Sequence, residues 1–492
     1  MTGKTTEITS PAAIFCVLGA ACALVPALAM WGFTVDDALI PVRYAHNVAT
    51  GAGYRFDAHG ASTDGVTPLP WVWGITPLAG GDALVTLVRV KAVGVLAWVL
   101  GGGALGARVG AVVAGLATWK RVLAAAGLLV MGIAFPIGAW AASGMETGVA
   151  AAIATLAATR VHRPRQAAAI AGIAAAFRPE LVIWAVAIGM GASMIEAPGS
   201  TREAPGSRLQ APGAREGTRV ARGMGIALGL AGAPFVICAV VRFVVFGRAA
   251  PLALLAKPSD PSHGGMYAAA AAIVVLTPIL VVAPIALVKS RELAVARVIV
   301  VAFLAHVVAV IAAGGDWMPY ARLMVPVAPS LLIAFTAIVV ASSRWQWNAA
   351  RLAAATFLGV LLVMRAAPAG RGVHADRMDL VRRARPVLEG AQVVAALDIG
   401  WVGAATDARI VDLAGLTDPA IAILPGGHTS KHVDVSMLLD RGVDTVILYS
   451  DLRVVEQRLL RADLFTSRFE LAQTLPVGTR GATYAIYRRR RI

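Results

Sequence analysis

Long apolar runs recur along the first three quarters of this chain and limit the folds that it can adopt. Most are close to the roughly 20 residues that a helix needs to cross the hydrocarbon core of a bilayer. The chain is 58% hydrophobic and 15% charged, whereas soluble proteins have about 25% charged residues. We therefore predict a polytopic α-helical membrane protein with about eleven transmembrane helices. The candidate spans are residues 11–33, 83–105, 122–142, 145–159, 166–177, 181–195, 223–246, 266–288, 294–313, 322–341 and 351–367.

The basic residues predict how these spans are oriented, because Lys and Arg are retained in short cytoplasmic loops. Basic loops fall at alternate ends of consecutive spans, at Lys120, Arg163, Arg291 and Arg344. If they lie inside, the N-terminus is cytoplasmic and the loop after the first span, residues 34–80, lies outside the plasma membrane. The other polar segments between spans then face the same side as this loop.

Two segments depart from the membrane pattern. Residues 196–222 repeat Ala-Pro-Gly among charged residues, a composition that cannot bury a core and predicts a disordered cytoplasmic linker. Residues 368–492 have the pattern of a soluble chain. We predict a small α/β domain there, extracytoplasmic because the number of spans is odd, and a transmembrane domain over residues 1–367. The predicted strands are residues 393–397, 445–449 and 482–487, and the predicted helices are residues 436–441 and 454–464.

The loop at residues 34–80 carries two adjacent carboxylates, Asp36 and Asp37, where the first span should emerge into water. Aspartates at a membrane boundary are costly unless they are solvated, paired or functional. One interpretation is a helix cap. The other is a general base that activates an acceptor hydroxyl, with the second aspartate holding the first carboxylate or a divalent cation. Other polar side chains crowd the same loop and favour the second interpretation: Arg43, Tyr44, His46 and Asp64.

Polar residues between later spans are further candidates. Glu146 begins a predicted helix, where a carboxylate either caps the helix or binds substrate. Arg178 and Glu180 flank Pro179, and a buried structural pair is as good an explanation there as a phosphate ligand.

One later segment combines charged and aromatic residues. Asp316, Trp317 and Arg322 lie at a helix end, where an aromatic anchor at the membrane interface is the simpler interpretation and a substrate site the alternative. Lys257 and His263 could meet a phosphate, although an ordinary solvated loop is the better explanation.

Several function classes lose support from the sequence. The chain has no P-loop, HExxH or GxSxG motif and no dinucleotide fingerprint between a strand and a helix, so no nucleotide cofactor is expected. Its net charge of +16 indicates affinity for anionic membrane lipids rather than nucleic acid, because no basic patch is interleaved with aromatic residues. Its three cysteines lie in apolar runs without metal-ligand spacing.

A set of fragments in a fixed order carries a family resemblance. The fragments are VDDALIPVRYAHNVATGAGYRFD and TDGVTPLPW in the first loop, ASGMETG at 142–148, FRPE at 177–180, GGDWMPYARLMVPV at 314–327 and DIGWVGAATDARIVDLAGLTDPAIA at 398–422. In these residues the chain resembles the C-type, multi-spanning glycosyltransferases that use polyprenyl-phosphate sugars. The branch that contains the mycobacterial terminal β-(1→2) arabinofuranosyltransferase is the most similar.

The resemblance implies a membrane glycosyltransferase that moves a sugar, such as arabinofuranose, with inversion. The donor would be a polyprenyl-phosphate sugar and the acceptor a cell-envelope glycan or lipid. The catalytic base would be Asp36 or Asp37, which would also be the ligands of any metal. The implied donor and phosphate residues are Arg43, Tyr44, Arg178 and Arg322, and the implied substrate-binding residues are His46, Asp64, Glu146, Glu180, Asp316 and Trp317.

Two other classes fit the sequence. A secondary transporter or lipid-carrier flippase would also place charges near membrane cavities, but it should show repeat symmetry and broken helices near the midplane. A membrane scaffold that presents the α/β domain would have no reason to concentrate polar groups in the first loop.

Overall fold

The computed structural model describes residues 10–196, 214–280, 293–478 and 481–491. Its first part is a helical bundle, with a short 3₁₀ turn, Asp36–Ala38, at the start of the first loop. The bundle helices are α1 Pro11–Ala29, α2 Leu39–Ala49, α3 Leu69–Ile75, α4 Ala83–Val113, α5 Thr118–Ile133, α6 Phe135–Ala141, α7 Thr147–Thr159, α8 Pro164–Phe177, α9 Val182–Glu196, α10 Ala214–Phe246, α11 Leu252–Ala256, α12 Pro261–Ala271, α13 Thr277–Leu280, α14 Ala294–Ala312, α15 Leu331–Ala341 and α16 Gln346–Arg371.

Within the described residues, five helices are long and apolar enough to cross a membrane, or six if α5 and α6, bent by 58°, form one span. The predicted count of about eleven is therefore not confirmed. The main reason is length, because several predicted spans are shorter helices, such as α7 with 13 residues and α15 with 11. The predicted span at 266–288 runs partly outside the described residues.

Only part of the predicted linker at 196–222 lies within the described residues. Residues 197–213 lie outside the described part of the chain. Helix α10 begins at Ala214, so the prediction of disorder is wrong for residues 214–222. These residues are continuous with the apolar part of α10, Val220–Phe246. The helical conformation of that part extends back to Ala214.

Helices α1 and α4 pack closely through glycines. A Cβ atom on Gly106 would lie 1.9 Å from the carbonyl oxygen of Phe15, and one on Gly19 would lie 2.2 Å from that of Gly102. Small residues allow membrane helices to approach at the backbone, where packing replaces the hydrophobic effect as the source of stability. Lys91 of α4 also donates to the carbonyl oxygens of Trp31 and Phe33, at 2.6 and 3.0 Å, and so fixes the start of the first loop.

The C-terminal domain, residues 373–491, is a small mixed sheet with helices. Its strand order is β2-β1-β3-β5-β4, with β2, β1 and β3 parallel and β5 antiparallel to its neighbours. The strands are β1 Val393–Ala396, β2 Arg409–Asp412, β3 Thr445–Tyr449, β4 Phe469–Val477 and β5 Ala482–Arg489. The helices are α17 Val373–Leu388, α18 Ile399–Ala405, α19 Pro419–Ala422, α20 Val435–Asp440, α21 Val454–Arg461 and α22 Asp463–Arg468.

The predicted strands and helices of this domain are present, but the prediction lacked the strands β2 and β4 and the helices α17, α18, α19 and α22. Strand β2 has only four residues, and β4 is an edge strand with most of its side chains exposed, so neither has a strong alternating pattern. Helix α16 runs to Arg371 and passes the predicted domain boundary at 367/368 without a break.

We predict that Gly106→Ala forces α1 and α4 apart and lowers the stability of the protein by about 1–3 kcal/mol, the usual cost of overpacking. Thermal unfolding in detergent measures this loss. Gly229→Ala is the matched control, because a Cβ atom at Gly229 of α10 meets nothing within 4 Å. An equal effect of both substitutions would contradict the packing argument.

Candidate functional site

A cavity of about 120 Å³ lies where the bundle meets the C-terminal domain. Seven separate segments of the chain line it, and most of its charged groups come from the polar segments between apolar helices. The charged lining residues are Asp37, Glu146, Arg178, Glu180, Lys257 and Arg322. The C-terminal domain contributes Leu416, which packs over the turn at Gly65. The cavity therefore combines three carboxylates with three cations.

Arg178 joins two of these carboxylates. Its guanidinium lies 2.6 Å from Glu146 Oε1 and 2.5 Å from Glu180 Oε1. Arg178 and Glu146 are almost completely buried, and Glu146 Oε2 has no hydrogen-bond partner in the described part of the chain. A buried ion needs partners for its remaining lone pairs. This oxygen is therefore placed to accept a hydrogen bond from a ligand in the cavity.

Local backbone geometry puts these residues at the cavity. Gly144 has φ +88°, which only glycine adopts readily, and the turn that it allows places Glu146 immediately before α7. Ser143 accepts from the amide of Met145 at 3.1 Å. Pro179 follows α8 and starts a new 3₁₀ turn, so the helix ends with Arg178 extended toward Glu146.

Arg322 reaches the cavity from a strained loop. Tyr320 and Ala321 have positive φ values of 58° and 49°, which for residues with a side chain costs about 1–3 kcal/mol each. The loop is held by Trp140, which donates to the carbonyl oxygens of Pro319 and Tyr320 at 3.2 Å. Asp316 forms an ion pair with Arg322 over 2.7 Å.

Lys257 differs from the other two cations of the cavity. Arg178 and Arg322 each have a carboxylate partner, whereas Lys257 forms no salt bridge within the described residues. Its ammonium group is therefore available to an anionic ligand.

The two adjacent aspartates face different surroundings. Asp36 accepts hydrogen bonds from the amides of Gly400 and Trp401 at 2.8 and 3.0 Å, and Arg377 lies 3.7 Å away. These partners all belong to the C-terminal domain. Asp37 lines the cavity instead and has no hydrogen-bond or ion-pair partner for its carboxylate in the part of the chain that the structure describes. Asp37 is therefore the free carboxylate of the pair.

The surroundings of Asp36 change its acidity. Burial raises the pKa of Asp36 to about 6, against the opposite effect of Arg377. Burial would also raise the pKa of Asp398, but Arg453 and Arg377 hold it below its usual value. Gly400 fits this contact because a Cβ atom there would lie 2.0 Å from the carbonyl oxygen of Asp36. The contact between the first loop and the C-terminal domain is thus close and charged.

Arg43, predicted to bind phosphate, is also part of this interface. It donates to the carbonyl oxygens of Gly403, Thr406 and Ala408 at 2.8–3.0 Å and pairs with Asp57 at 3.0 Å. Burial raises the pKa of Asp57 despite this pairing. Arg43 lines a different, wider cleft between α2 and the C-terminal domain, so it has a structural role here.

The remaining predicted residues lie around the cavity rather than in it. The buried hydroxyl of Tyr44 bonds Thr63 and accepts from the amide of Gly65, which orders the turn at the cavity wall. Asp64 pairs with Arg242 over 2.7 Å in a buried contact. His46 lines the wider cleft. Trp317 is 69% exposed.

Several important residues were absent from the sequence prediction. Arg377, Asp398, Arg453 and Tyr484 form a charged network at the carboxyl ends of β1 and β3. The position of Asp398 just after a predicted buried strand was a usable signal, since ligands and docking surfaces gather at that edge of parallel strands. Arg377 and Tyr484 carried no comparable signal.

The donor set does not favour a metal held by Asp36 and Asp37. The Asp36 carboxylate is already engaged by two backbone amides. Within the described residues, no group of three or more His, Cys, Asp and Glu side chains is arranged to hold a metal ion.

Comparison with known proteins identifies only part of the chain. Residues 372–487 match a family described as a domain of unknown function, DUF8728. No curated protein and no solved structure matches the chain. The matched segment includes Gly400, Trp401 and Leu416, and hence both the contact with Asp36 and one wall of the cavity.

We predict that Arg178→Met lowers stability by about 3–5 kcal/mol, because it leaves the buried carboxylate of Glu146 and the partly buried carboxylate of Glu180 without their cation. Thermal unfolding in detergent measures the loss. Arg490→Met is the control, since its pair with Glu470 is about half exposed and should contribute about 0–1 kcal/mol. Similar losses for both variants would contradict a buried ionic cluster.

We also predict a pH-dependent effect of Asp36→Asn. The pKa of Asp36 is about 6 in the folded protein, against an ordinary value of 3.8. Between these two pH values the folded protein keeps a proton on Asp36 that the unfolded chain has released. The contribution of Asp36 to the free energy of unfolding is greatest below pH 3.8 and is lost as the pH rises through about 6. The substitution should therefore cost more at about pH 5 than at about pH 8. Unfolding temperatures that change equally at both values would refute this.

Proposed function

We propose that the protein is a membrane glycosyltransferase that moves a sugar from a polyprenyl-phosphate donor to a hydroxyl of an extracytoplasmic glycan or lipid. The observation that carries this proposal is the composition of the cavity. The unpaired carboxylate of Asp37 shares it with the free ammonium group of Lys257 and with Arg322. A base and an anion-binding group in one cavity are what transfer from a phosphate leaving group requires.

The proposed reaction is a single displacement. The acceptor oxygen attacks the anomeric carbon of the sugar while the bond from that carbon to the phosphate oxygen breaks, so the configuration inverts. Asp37 takes the proton of the attacking hydroxyl. Lys257 and Arg322 stabilise the negative charge that develops on the departing polyprenyl phosphate. Atoms and charge balance without a nucleotide.

Glu146, Arg178 and Glu180 would fix the sugar. Arg178 holds both carboxylates in place, and the free Oε2 atom of Glu146 is suited to accept a hydrogen bond from a sugar hydroxyl. A buried acceptor without a partner costs about 1–3 kcal/mol, and a hydroxyl of the substrate would remove that cost.

The long apolar helices support a membrane location, and the proposal adds a topology for the chain in the membrane. Shorter apolar helices such as Thr147–Thr159 and Ala328–Ala341 would complete the membrane domain, with the cavity and the C-terminal domain on the outer face of the plasma membrane. Their burial against neighbouring helices supports this, because a short helix enclosed by protein need not span the bilayer alone.

The test is sugar transfer by purified protein in proteoliposomes, from decaprenyl-phosphate donors that carry radiolabelled arabinofuranose, mannose or glucose. We predict that Asp37→Asn lowers the transfer rate by about 10²–10⁴-fold, the usual contribution of a general base. Asp36→Asn is the matched control and should retain measurable transfer, because Asp36 contacts the C-terminal domain.

Two results would contradict the proposal. One is equal loss of transfer in both variants with both proteins folded. The other is the absence of transfer from every donor, together with movement of the labelled lipid between leaflets, which would indicate a lipid-carrier flippase.

A further inference from the structure

Trp317 is a highly exposed aromatic residue in the segment that leads to Arg322 of the cavity lining. Its side chain is 69% exposed, yet its ring is not free to move. One face stacks on the imidazole of His263, with ring centroids 4.0 Å apart and planes within 20°. His263 Nδ1 in turn bonds the carbonyl oxygen of Gly314 at 2.7 Å. The protein thus holds a large apolar ring in place and leaves part of it open.

The same segment connects this ring to the cavity. The amide of Trp317 donates to Asp316 Oδ1 at 2.9 Å, and Asp316 pairs with Arg322, which lines the cavity. Gly314 and Gly315, both with positive φ, turn the chain before the ring. Trp317 is therefore linked to Arg322 through two polar contacts of Asp316.

The C-terminal domain supplies the other side of this site. The His428 ring lies 6.1 Å from that of Trp317, tilted by 53°. Burial, followed by the nearby charge of Lys257, lowers the pKa of His428 to about 4, so its imidazole is neutral near pH 7. A neutral imidazole can both donate and accept a hydrogen bond.

We propose that Trp317, supported by His263 and flanked by His428, is a stacking subsite for a sugar ring of the acceptor glycan. The proposal rests on the glycosyltransferase function proposed above and adds the place where the acceptor binds. It also gives the C-terminal domain a part in substrate binding through His428.

Carbohydrate is the ligand class that this chemistry fits. A sugar ring has an apolar face of C–H groups and a rim of hydroxyls, so it needs an exposed aromatic face beside polar hydrogen-bonding groups. Trp317 offers the first and the two histidines the second. A tryptophan that anchors the protein in the bilayer interface would instead turn its ring toward lipid, without a histidine from the C-terminal domain beside it.

The test compares Trp317→Ala and Trp317→Phe with wild type. We expect Trp317→Ala to raise the KM for the acceptor about tenfold, as loss of one aromatic contact does, with little change in kcat or in the KM for the donor. Trp317→Phe should keep most of the affinity. Trp347→Ala is the matched control, since Trp347 is 68% exposed and lies at the start of α16, away from the cavity lining.

Binding without turnover separates this proposal from the one on which it rests. Saturation-transfer NMR with soluble arabino-, manno- and gluco-oligosaccharides should show binding that is lost in Trp317→Ala and kept in Trp347→Ala. That result supports the subsite even if no sugar transfer is found. Transfer with an unchanged acceptor KM in Trp317→Ala would overturn the subsite and leave the glycosyltransferase intact.

If Trp317 anchors the protein in the bilayer, a fluorescence measurement gives a different result. If brominated lipids quench the part of the fluorescence that Trp317→Ala removes, and oligosaccharides do not alter it, the ring faces lipid and the proposal is overturned. Protection of that fluorescence by an oligosaccharide supports it.

Discussion

The structure depends on the contact between the carboxylate of Asp36 and the amides of Gly400 and Trp401. It joins the start of the first loop to the C-terminal domain across more than 360 residues of chain. Because Asp36 and Asp37 are adjacent in one short 3₁₀ turn, fixing the first side chain also fixes the second. Asp37 is thereby held at the cavity with its carboxylate free. One aspartate serves assembly, and its neighbour is left available for chemistry.

The charged residues around this contact also divide into those that support the fold and those that are available to a ligand. Arg43 supports the interface by binding three carbonyl oxygens of the C-terminal domain, and Arg178 holds two carboxylates in the cavity wall. A buried charge costs several kcal/mol unless it is paired, and both arginines meet that requirement. Within the described residues, the second oxygen of Glu146, Oε2, has no hydrogen-bond partner, and Lys257, which is half-buried, forms no salt bridge. Unsatisfied groups that gather in one cavity are the expected sign of a ligand site.

The sequence predicted part of this arrangement. Apolar runs and loop positions predicted that Glu146, Arg178, Glu180 and Arg322 lie on one side of the bundle, because polar segments at the same end of alternating spans face the same side; these four residues do line one cavity. The positions of the apolar runs and loops could not assign a role to each residue of the cluster. Asp36 and Asp37 are identical in type, and only the fold shows that Gly400 lies against the first. Arg43 looked like a phosphate ligand because its carbonyl partners are distant in sequence. The span count is not confirmed, because hydropathy reports apolar length and does not settle whether a short helix such as Thr147–Thr159 crosses the membrane.

The most direct measurement is an experimental structure of the protein in a lipid nanodisc with a non-cleavable phosphonate analogue of a polyprenyl-phosphate sugar. The account predicts the phosphonate in the cavity against Lys257 and Arg322, the anomeric carbon facing Asp37, and Asp36 still bound to Gly400 and Trp401. A phosphonate that lies outside this cavity, or that is held by Asp36 with the C-terminal domain displaced, would contradict it.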